Sequence, residues 1–122
     1  AMEVFGVDFL CTLPCDRVKG LIDLAGRRIR STPLTREEEG VGICAGAALA
    51  GRLPAMVVQS SGVGNMVNAI MSLTSFYRFP FAVFVSRRGV YSESIAAQVP
   101  MGQALPGLID SLGLEHTLIE DA

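Results

Sequence analysis

Short strand-like segments alternate with longer helical patterns along this chain, and this alternation constrains the fold more than any other feature. Strands are predicted at residues 7–13, 28–32, 55–59, 81–86 and 116–119. Helices are predicted at residues 14–28, at 36–51, from a turn at 60–65 to about residue 77, and from residue 102 or 105 to about 112. This alternation predicts an α/β fold, a three-layer arrangement in which a parallel sheet has helices on both faces.

The composition limits the classes of protein to consider. The chain has 122 residues, so we expect a single domain over residues 1–122 that is large enough for a real core. Hydrophobic residues make up 50% of the chain and charged residues 18%, which favours an apolar surface covered by another subunit. No apolar run reaches the roughly 18 residues of a membrane span. The net charge of −2 also argues against a nucleic-acid-binding face.

The cysteines indicate the cellular compartment. Cys11, Cys15 and Cys44 lie in apolar segments, and no Cys-x-x-Cys pair accompanies the single His116. Free cysteines of this kind are small buried side chains, so we expect a reducing, cytoplasmic location and no metal site on this chain. Ala1 precedes Met2 and is expected to be a residue left after tag cleavage.

Three consecutive acids lead directly into an apolar helix. Thr35 and Glu38 have the spacing of a capping box, which predicts the helix start, and small side chains from Gly40 to Ala48 permit close packing. An acid at the entrance of such a helix is partly out of water and is suited to proton transfer. Acids in a first turn also complement the helix dipole without any catalytic role. Periodicity alone does not choose among Glu37, Glu38 and Glu39.

Polar residues follow the predicted strands. The strand ends carry Leu13-Pro14-Cys15-Asp16, Gln59-Ser60-Ser61-Gly62 and Ser86-Arg87-Arg88-Gly89. Ligands of open α/β sheets bind beyond the carboxyl ends of the strands, so these residues are candidates for a shared site. The Gly62-Val63-Gly64 segment has Val67 where a dinucleotide fingerprint has its third glycine, and it also lacks the ending of a P-loop. A tight turn before a helix is therefore the favoured interpretation.

The helix after this turn carries a neutral polar stripe, formed by Asn65, Asn68, Ser72 and Ser75 among apolar residues. Such a stripe is typical of the solvent face of an amphipathic helix. Neutral amides also suit a buried interface or a ligand pocket, where charged groups would cost more free energy. Both interpretations stay open at this point.

Several motifs in one order resemble a known family over nearly the whole chain. They are the run from Thr35 to Gly46, Pro54-Ala55-Met56, the run from Gln59 to Asn68, Arg88-Gly89, and Gln98-Val99-Pro100-Met101-Gly102-Gln103. Together they are similar to the pyrimidine-binding domain of thiamine-diphosphate enzymes, which implies that fold here. Within the family the chain resembles the alpha subunits of sulfopyruvate decarboxylases first, and the phosphonopyruvate decarboxylases next.

The resemblance implies roles for individual residues. In these enzymes a glutamate nine residues before the glycine of the Ala-Gly pair, here Glu37 before Gly46, hydrogen-bonds the N1′ nitrogen of the cofactor's aminopyrimidine. Gln98 falls in a segment that supplies polar active-site groups in relatives, so Glu37 and Gln98 are the catalytic candidates. The other cofactor-binding candidates are Pro14, Cys15, Ser61, Gly62, Gly64 and Asn65. The substrate-binding candidates are Asp16, Gln59, Ser60, Arg87 and Arg88.

The two arginines are candidates for the substrate's anionic group, because guanidinium groups match tetrahedral oxyanions. Lys19, Arg17 or a residue of a partner chain could bind that group instead. Two arginines after a strand are equally compatible with a solvated pair that binds nothing. The residues alone leave this choice open.

The resemblance also implies a partner. Thiamine-diphosphate enzymes hold the diphosphate and Mg²⁺ through a Gly-Asp-Gly motif, which this sequence lacks. We therefore expect half of an active site, a beta subunit that carries the diphosphate-binding half, and a hetero-oligomer. The isolated chain is expected to form a homodimer. The family's domain continues beyond the position of Ala122, so the sheet is expected to be incomplete at its C-terminal end.

The implied activity is decarboxylation of sulfopyruvate to sulfoacetaldehyde and carbon dioxide, a step of coenzyme M synthesis in this family. Phosphonopyruvate decarboxylase is the first alternative, with the same mechanism and another small anionic 2-keto acid as substrate. A non-catalytic cofactor-binding or assembly module is the alternative from a different class. A generic nucleotide-binding domain is disfavoured by the missing third glycine.

Overall fold

A computed structural model describes residue 2 and residues 4–119 of the chain. Ala1 and Ala122, on which the sequence made predictions, lie outside the described residues. The strands are β1 (Phe9–Thr12), β2 (Arg30–Pro33), β3 (Pro54–Gln59) and β4 (Ala82–Ser86). The helices are α1 (Lys19–Gly26), α2 (Glu37–Leu49), α3 (Ser60–Ala69) and α4 (Val99–Ser111). A π-helical segment, Ile70–Ser75, continues α3, and a 3₁₀ turn, Ala96–Gln98, precedes α4.

The four strands form one parallel sheet in the order β2-β1-β3-β4. Cys11 of β1 lies opposite Thr32 of β2 on one side and Met56 of β3 on the other. Gln59 and Ser86 lie opposite each other at the ends of β3 and β4. Because all strands run the same way, their carboxyl ends meet at one edge of the sheet, as the alternating pattern predicts.

Two apolar clusters lie on opposite faces of the sheet, which confirms the three-layer arrangement. Cys11, Met56 and Val58 point towards α2, α3 and α4, where they pack against residues such as Val41 and Met66. On the other face, the buried residues Leu10, Ala55 and Val57 of the sheet pack against Ala25 of α1 and Ile29 after it. The alternation of neighbouring residues between the two clusters follows the two-residue period of a strand.

The cysteines are small core residues, as predicted. Cys11, Cys15 and Cys44 are free and buried. Cys11 on β1 and Cys44 on α2 interact directly, and the contact with Cys11 together with burial raises the pKa of Cys44. Both thiols of this pair are therefore part of the packing between the sheet and α2.

The capping-box prediction is wrong. Helix α2 begins at Glu37 after Arg36, whose backbone is extended, and no side chain caps this end. Glu39 Oε2 instead accepts a hydrogen bond from the backbone N–H of Thr35 at 3.2 Å. Glu38 accepts a hydrogen bond from Nε of Arg36 at 2.7 Å. The spacing of Thr35 and Glu38 was therefore misleading, because Thr35 bonds Glu39 and Glu38 bonds Arg36.

The predicted turn at 60–65 is also wrong, because α3 begins at Ser60 directly after β3. Helical structure then continues to Tyr77, as predicted, although residues 70–75 have π-helical bonding. Thr74 Oγ1 donates a hydrogen bond to the Ile70 carbonyl at 3.1 Å within that segment. A π-helical turn inserts an extra residue into the helix, so the side chains beyond it point in different directions from those of a regular helix.

Two further boundaries differ from the predictions. Residues 114–119 form no strand, so the strand predicted at 116–119 is wrong. Helix α1 covers only Lys19–Gly26 of the predicted 14–28, because Pro14 and its neighbours form an irregular connection after β1. None of the described helices combines the length and apolar character needed to cross a membrane.

The end of β4 crosses closely over the start of α4 at two glycines. A Cβ atom at Gly102 would overlap the carbonyl oxygen of Arg88, and one at Gly89 would overlap that of Gln98. Gly89 also has φ of +80°, a conformation that side chains disfavour. The backbone approach requires both residues to lack a side chain.

Gly102→Ala is expected to destabilise the full-length protein, because backbone atoms must move to admit the methyl group. Overpacking of this kind costs about 1–3 kcal/mol. The matched control is Gly107→Ala on the same helix, where no atom lies within 4 Å of the added Cβ. That change should be stabilising by about 0.5–1 kcal/mol, the helix-propensity difference. Thermal unfolding of both variants measures the contrast, and equal melting temperatures would contradict the crossing described above.

Candidate functional site

Glu37 is a buried acid at the beginning of α2, and its side chain is held from the next helix. The residue is 5% exposed. Its Oε2 accepts a hydrogen bond from Nδ2 of Asn65 on α3 at 3.0 Å. Glu37 Oε1 makes no hydrogen bond to another residue in the described part of the chain.

Gly62 leaves the space that the Glu37 side chain occupies. A Cβ atom at Gly62 would lie 2.7 Å from both Cγ and Oε1 of Glu37, closer than nonbonded atoms approach. Gly62 lies in the first turns of α3, so its role is to let the two helices meet around the carboxylate. The glycine is needed for contact with a side chain and not for a turn.

The three acids therefore have different environments. Glu37 is enclosed between two helices, whereas Glu39 is exposed and bonds the Thr35 backbone. A backbone N–H, together with Arg36, lowers the pKa of Glu38. Of the three residues that the sequence left open, Glu37 alone has a carboxylate enclosed by α2 and α3.

A small cavity of about 350 Å³ opens at the carboxyl edge of the sheet. Its lining residues are Pro14, Cys15, Asp16, Lys19, Gln59, Arg88, Ile95 and Gln98. They come from the segment after β1, the start of α1, the end of β3 and the segment between β4 and α4. The structure thus brings together five of the twelve residues that the sequence placed at the ends of separate strands, namely Pro14, Cys15, Asp16, Gln59 and Arg88.

Polar groups behind this cavity are well ordered by hydrogen bonds. Ser60 is fully buried, and its Oγ accepts a hydrogen bond from the backbone N–H of Arg88 at 3.1 Å. Gln59 Nε2 donates to Oγ of Ser61 at 2.8 Å. The start of α3 is therefore tied to the end of β4. Ser60 supports the wall of the cavity and does not line it.

Other predicted site residues lie outside the small cavity. Ser61, Gly62, Gly64 and Asn65 are on the first turns of α3, beside Glu37 or on the exposed side of that helix. Arg87 donates a hydrogen bond from Nε to the Gly102 carbonyl at 3.0 Å. It faces a separate wide groove along β4. Of the two adjacent arginines, only Arg88 contributes to the small cavity.

Arg88 and Glu93 form a buried ion pair that the sequence analysis did not identify. Arg88 Nε lies 2.6 Å from Glu93 Oε2, and its Nη2 donates to Oε1 at 2.8 Å. The Arg88 and Glu93 side chains are 8% and 2% exposed. Nη1 of Arg88 donates to Cys15 Sγ at 3.7 Å, towards the cavity. This two-point pairing fixes the guanidinium plane in the cavity wall.

The loop after Gly89 brings Glu93 back to Arg88. Tyr91 and Ser92 have φ of 51° and 61°, values that are uncommon for residues other than glycine. Glu93 then accepts further hydrogen bonds from the backbone N–H groups of Ile95 and Gly89, at 3.1 and 3.4 Å. No periodicity or motif in the sequence signals this loop conformation, which explains why Glu93 was missed.

The Arg88 guanidinium lowers the pKa of Glu93 to about 2, and backbone N–H groups add to the effect. A group whose pKa is lower in the folded state stabilises the fold above its unfolded pKa, and that contribution is lost as the pH falls through the folded value. The window for Glu93 therefore extends from its ordinary value of 4.5 down to about 2.

In the full-length protein, Glu93→Gln is expected to lower the free energy of unfolding near neutral pH. The difference from the unsubstituted protein should shrink as the pH falls from about 4.5 to about 2, because Glu93 becomes protonated there. Urea unfolding at a series of pH values measures this difference. A difference that stays constant across the window would mean that the charge of Glu93 does not stabilise the fold.

Gln98 contributes an unsatisfied acceptor to the same region. Its Oε1 is buried and has no hydrogen-bond partner in the described part of the chain. Buried polar atoms are nearly always hydrogen-bonded in folded proteins, so an exception calls for a functional explanation. Since Gln98 lines the small cavity, a bound molecule with a donor group would satisfy this atom.

Comparison with known proteins identifies the family. Residues 1–113 match the family model described as the thiamine pyrophosphate enzyme, N-terminal TPP binding domain. A sulfopyruvate decarboxylase from Methanosarcina acetivorans is 49% identical over 118 residues, which are 97% of this chain and 30% of that protein. A sulfopyruvate decarboxylase subunit alpha from Methanococcus maripaludis is 42% identical over 113 residues, which are 91% of this chain and 68% of the relative.

A phosphonopyruvate decarboxylase from Streptomyces viridochromogenes is more distant, at 34% identity over 119 residues. Those residues are 95% of this chain and 30% of the relative. The chain thus spans less than a third of the Methanosarcina and Streptomyces proteins and about two thirds of the Methanococcus subunit. The parallel sheet, the enclosed Glu37 and the family match agree, and the chain belongs to the thiamine pyrophosphate enzymes as an N-terminal TPP-binding domain.

Proposed function

We propose that this chain is the pyrimidine-binding half of a thiamine-diphosphate-dependent decarboxylase that converts sulfopyruvate to sulfoacetaldehyde and carbon dioxide. The observation that carries the proposal is the Glu37 carboxylate, which is enclosed between α2 and α3 and held by Asn65 at 3.0 Å. The relatives support this choice of substrate, since proteins named sulfopyruvate decarboxylase are 49% and 42% identical, against 34% for a phosphonopyruvate decarboxylase.

The residues around Glu37 fit the aminopyrimidine of the cofactor. Asn65 occupies one carboxylate oxygen, so Oε1 is left to share a proton with the N1′ nitrogen. Gly62 admits the carboxylate where any larger residue would exclude it. In this proposal the other cofactor contacts come from Ser61, Gly64, Pro14 and Cys15. When bound, the cofactor holds the electron pair that remains after carbon dioxide leaves a 2-keto acid.

The small cavity would receive the substrate. Its volume of about 350 Å³ is at the small end of the range for ligand sites, which suits a short keto acid. Asp16 and Gln59 line it from the ends of β1 and β3, and Arg88 from the end of β4. Gln98 brings its unpaired Oε1 to the same space and would accept a hydrogen bond or position a proton there. Arg87 faces the wide groove, so we place the anionic group nearer Arg88.

The proposal includes a partner chain. Relatives from three methanogens are named as alpha subunits, and the 122 residues of this chain contain no Gly-Asp-Gly motif. A beta subunit would therefore hold the diphosphate and Mg²⁺, and the active site would form in a cytoplasmic hetero-oligomer. In isolation this chain would bind the cofactor weakly and would not turn over substrate.

The test is reconstitution of the full-length chain with its beta partner, with thiamine diphosphate and Mg²⁺ present. Carbon dioxide release is measured from sulfopyruvate and from phosphonopyruvate. We expect release from sulfopyruvate that requires both chains. Preference for phosphonopyruvate would overturn the substrate and keep the reaction type. A stable complex that binds cofactor without turnover of either compound would support a non-catalytic assembly module.

A further inference from the structure

The small cavity has only one buried cation in its wall, and that cation is already neutralised. Arg88 is 7% exposed and is paired at two points with Glu93. Glu93 lies behind the guanidinium and does not itself line the cavity. The buried part of the wall therefore presents hydrogen-bond donors without a net charge.

The remaining charges near the cavity are close to solvent. Lys19, the first residue of α1, and Asp16 both line the cavity and are both exposed, with opposite charges. Arg17 approaches Glu93 at 3.9 Å with a side chain that is 48% exposed. Water and salt screen the interactions of charges at such positions. These residues therefore have little effect on the electrostatics of the buried part of the cavity wall.

The two candidate substrates differ in charge and hardly in shape. Each ends in a tetrahedral group with three oxygens, but a sulfonate carries a single negative charge. A phosphonate has a second ionisable proton that is lost around neutral pH, so it carries more negative charge than a sulfonate. An extra charge moved into a partly buried site costs free energy unless a cation compensates it. A wall in which the buried cation is neutralised therefore disfavours the phosphonate.

We propose that Glu93 is a specificity-determining residue, which neutralises Arg88 in the cavity wall and thereby favours a sulfonate over a phosphonate substrate. Glu93 acts through Arg88 and is a positioning residue, because it has no surface in the cavity. The inference rests on the proposed decarboxylase function. In that function Glu37 would have the same role with sulfopyruvate and with phosphonopyruvate, whereas Glu93 would distinguish the two substrates.

The test is Glu93→Gln in the complete enzyme, assayed with sulfopyruvate and phosphonopyruvate. Glutamine keeps a carbonyl oxygen for Arg88 and removes only the charge. The ratio of kcat/KM for sulfopyruvate to kcat/KM for phosphonopyruvate should fall by about tenfold or more, since an unpaired buried cation would then face the bound anion. Most of the change should be a lower KM for phosphonopyruvate.

Three further variants separate charge from structure. Arg88→Gln should weaken the binding of both substrates. Glu93→Gln added to Arg88→Gln should leave the preference ratio unchanged, because the buried cation of the cavity wall is then absent and Arg17, which also approaches Glu93, is half-exposed. Glu115→Gln, an exposed acid on the wide groove, is the matched control and should not move the ratio. If Glu93 had a purely structural role, Glu93→Gln would lower activity with both substrates and would leave the ratio of the two kcat/KM values unchanged.

Failure of this inference is distinguishable from failure of the proposed function. If the unsubstituted enzyme decarboxylates sulfopyruvate and Glu93→Gln does not change the preference, only the specificity role is overturned. If the unsubstituted complex decarboxylates neither substrate, the proposed function fails and the specificity role fails with it. A shift in the ratio that persists in the Arg88→Gln background would also overturn the inference, since Glu93 would then act by another route.

Discussion

Glu37→Gln is expected to lower kcat of the reconstituted enzyme by about 10²–10⁴-fold, the usual contribution of a positioned acid or base. Glutamine has the same shape and can still bond Asn65 through its carbonyl oxygen. It cannot share a proton with a ring nitrogen as a carboxyl group does. The fold should be little affected, so the loss should be in turnover. Steady-state kinetics and thermal unfolding on the same preparation measure the two effects separately.

Glu39→Gln is the matched control for this prediction. It makes the same chemical change two residues later, on an exposed side chain that accepts a hydrogen bond from the Thr35 backbone. We expect its kcat to remain within about twofold, as for a surface substitution. Equal activity in the Glu37→Gln and Glu39→Gln enzymes would show that the enclosed carboxylate has no catalytic role.

Gly62→Ala should lower activity by about 10²-fold or more while leaving the domain folded. The added methyl group would meet Cγ and Oε1 of Glu37 at 2.7 Å, and the end of a flexible side chain moves more easily than backbone. The carboxylate would therefore shift and lose its position beside Asn65. A displacement of about 1 Å in a catalytic group is enough for a loss of about 10²-fold.

Gly42→Ala provides the comparison, because it adds the same methyl group on α2 where no atom lies within 4 Å. Its activity should stay close to that of the unsubstituted enzyme. Circular dichroism, kcat and the dissociation constant for thiamine diphosphate should be measured for both variants. Full activity in Gly62→Ala would mean that catalysis does not require the Glu37 carboxylate to lie where the structure places it.

The sequence was sufficient to predict the layers of the fold, because periodicity reports which face of an element is buried. Strands β3 and β4 were each predicted within one residue of their starts, because each is a short, continuous apolar run. Strand β3 is buried almost throughout, whereas β4 is only partly buried. Helix α4 began at Val99, earlier than predicted, although Pro100 is a known signal for a helix start. The strand predicted at 116–119 fails because its apolar residues have no neighbouring strand in the described part of the chain.

The site was less predictable, because its specificity comes from contacts between distant elements. Composition and spacing left three acids equivalent, and the resemblance to a family chose Glu37. In the structure, Asn65 and Gly62 contact that carboxylate from another helix, and no periodicity in the sequence indicates these contacts. Glycine at position 62 suggested a turn in the sequence, whereas its function depends on a side chain 25 positions earlier in the printed chain.

Glu93 shows the limit of local patterns most clearly. It lies in a loop without periodicity, and left-handed backbone at Tyr91 and Ser92 returns it to Arg88. The two adjacent arginines looked equivalent in the sequence. Their different contacts distinguish them in the structure, because Arg87 bonds the Gly102 carbonyl and Arg88 bonds Glu93. Arg88 faces the small cavity and Arg87 the wide groove.

The strand order has a consequence for how the domain forms during synthesis. Strand β1 cannot pair with β3 until β3 has been synthesised. Phe9 pairs with Pro54, and one strand and two helices lie between them in the sequence. Non-local pairing of this kind is slow, since the entropy of closing the loop opposes it. The small cavity then needs Arg88 and Gln98, which are made later still. A nascent chain can therefore pair β1 with β3 before the residues of the small cavity have all been synthesised.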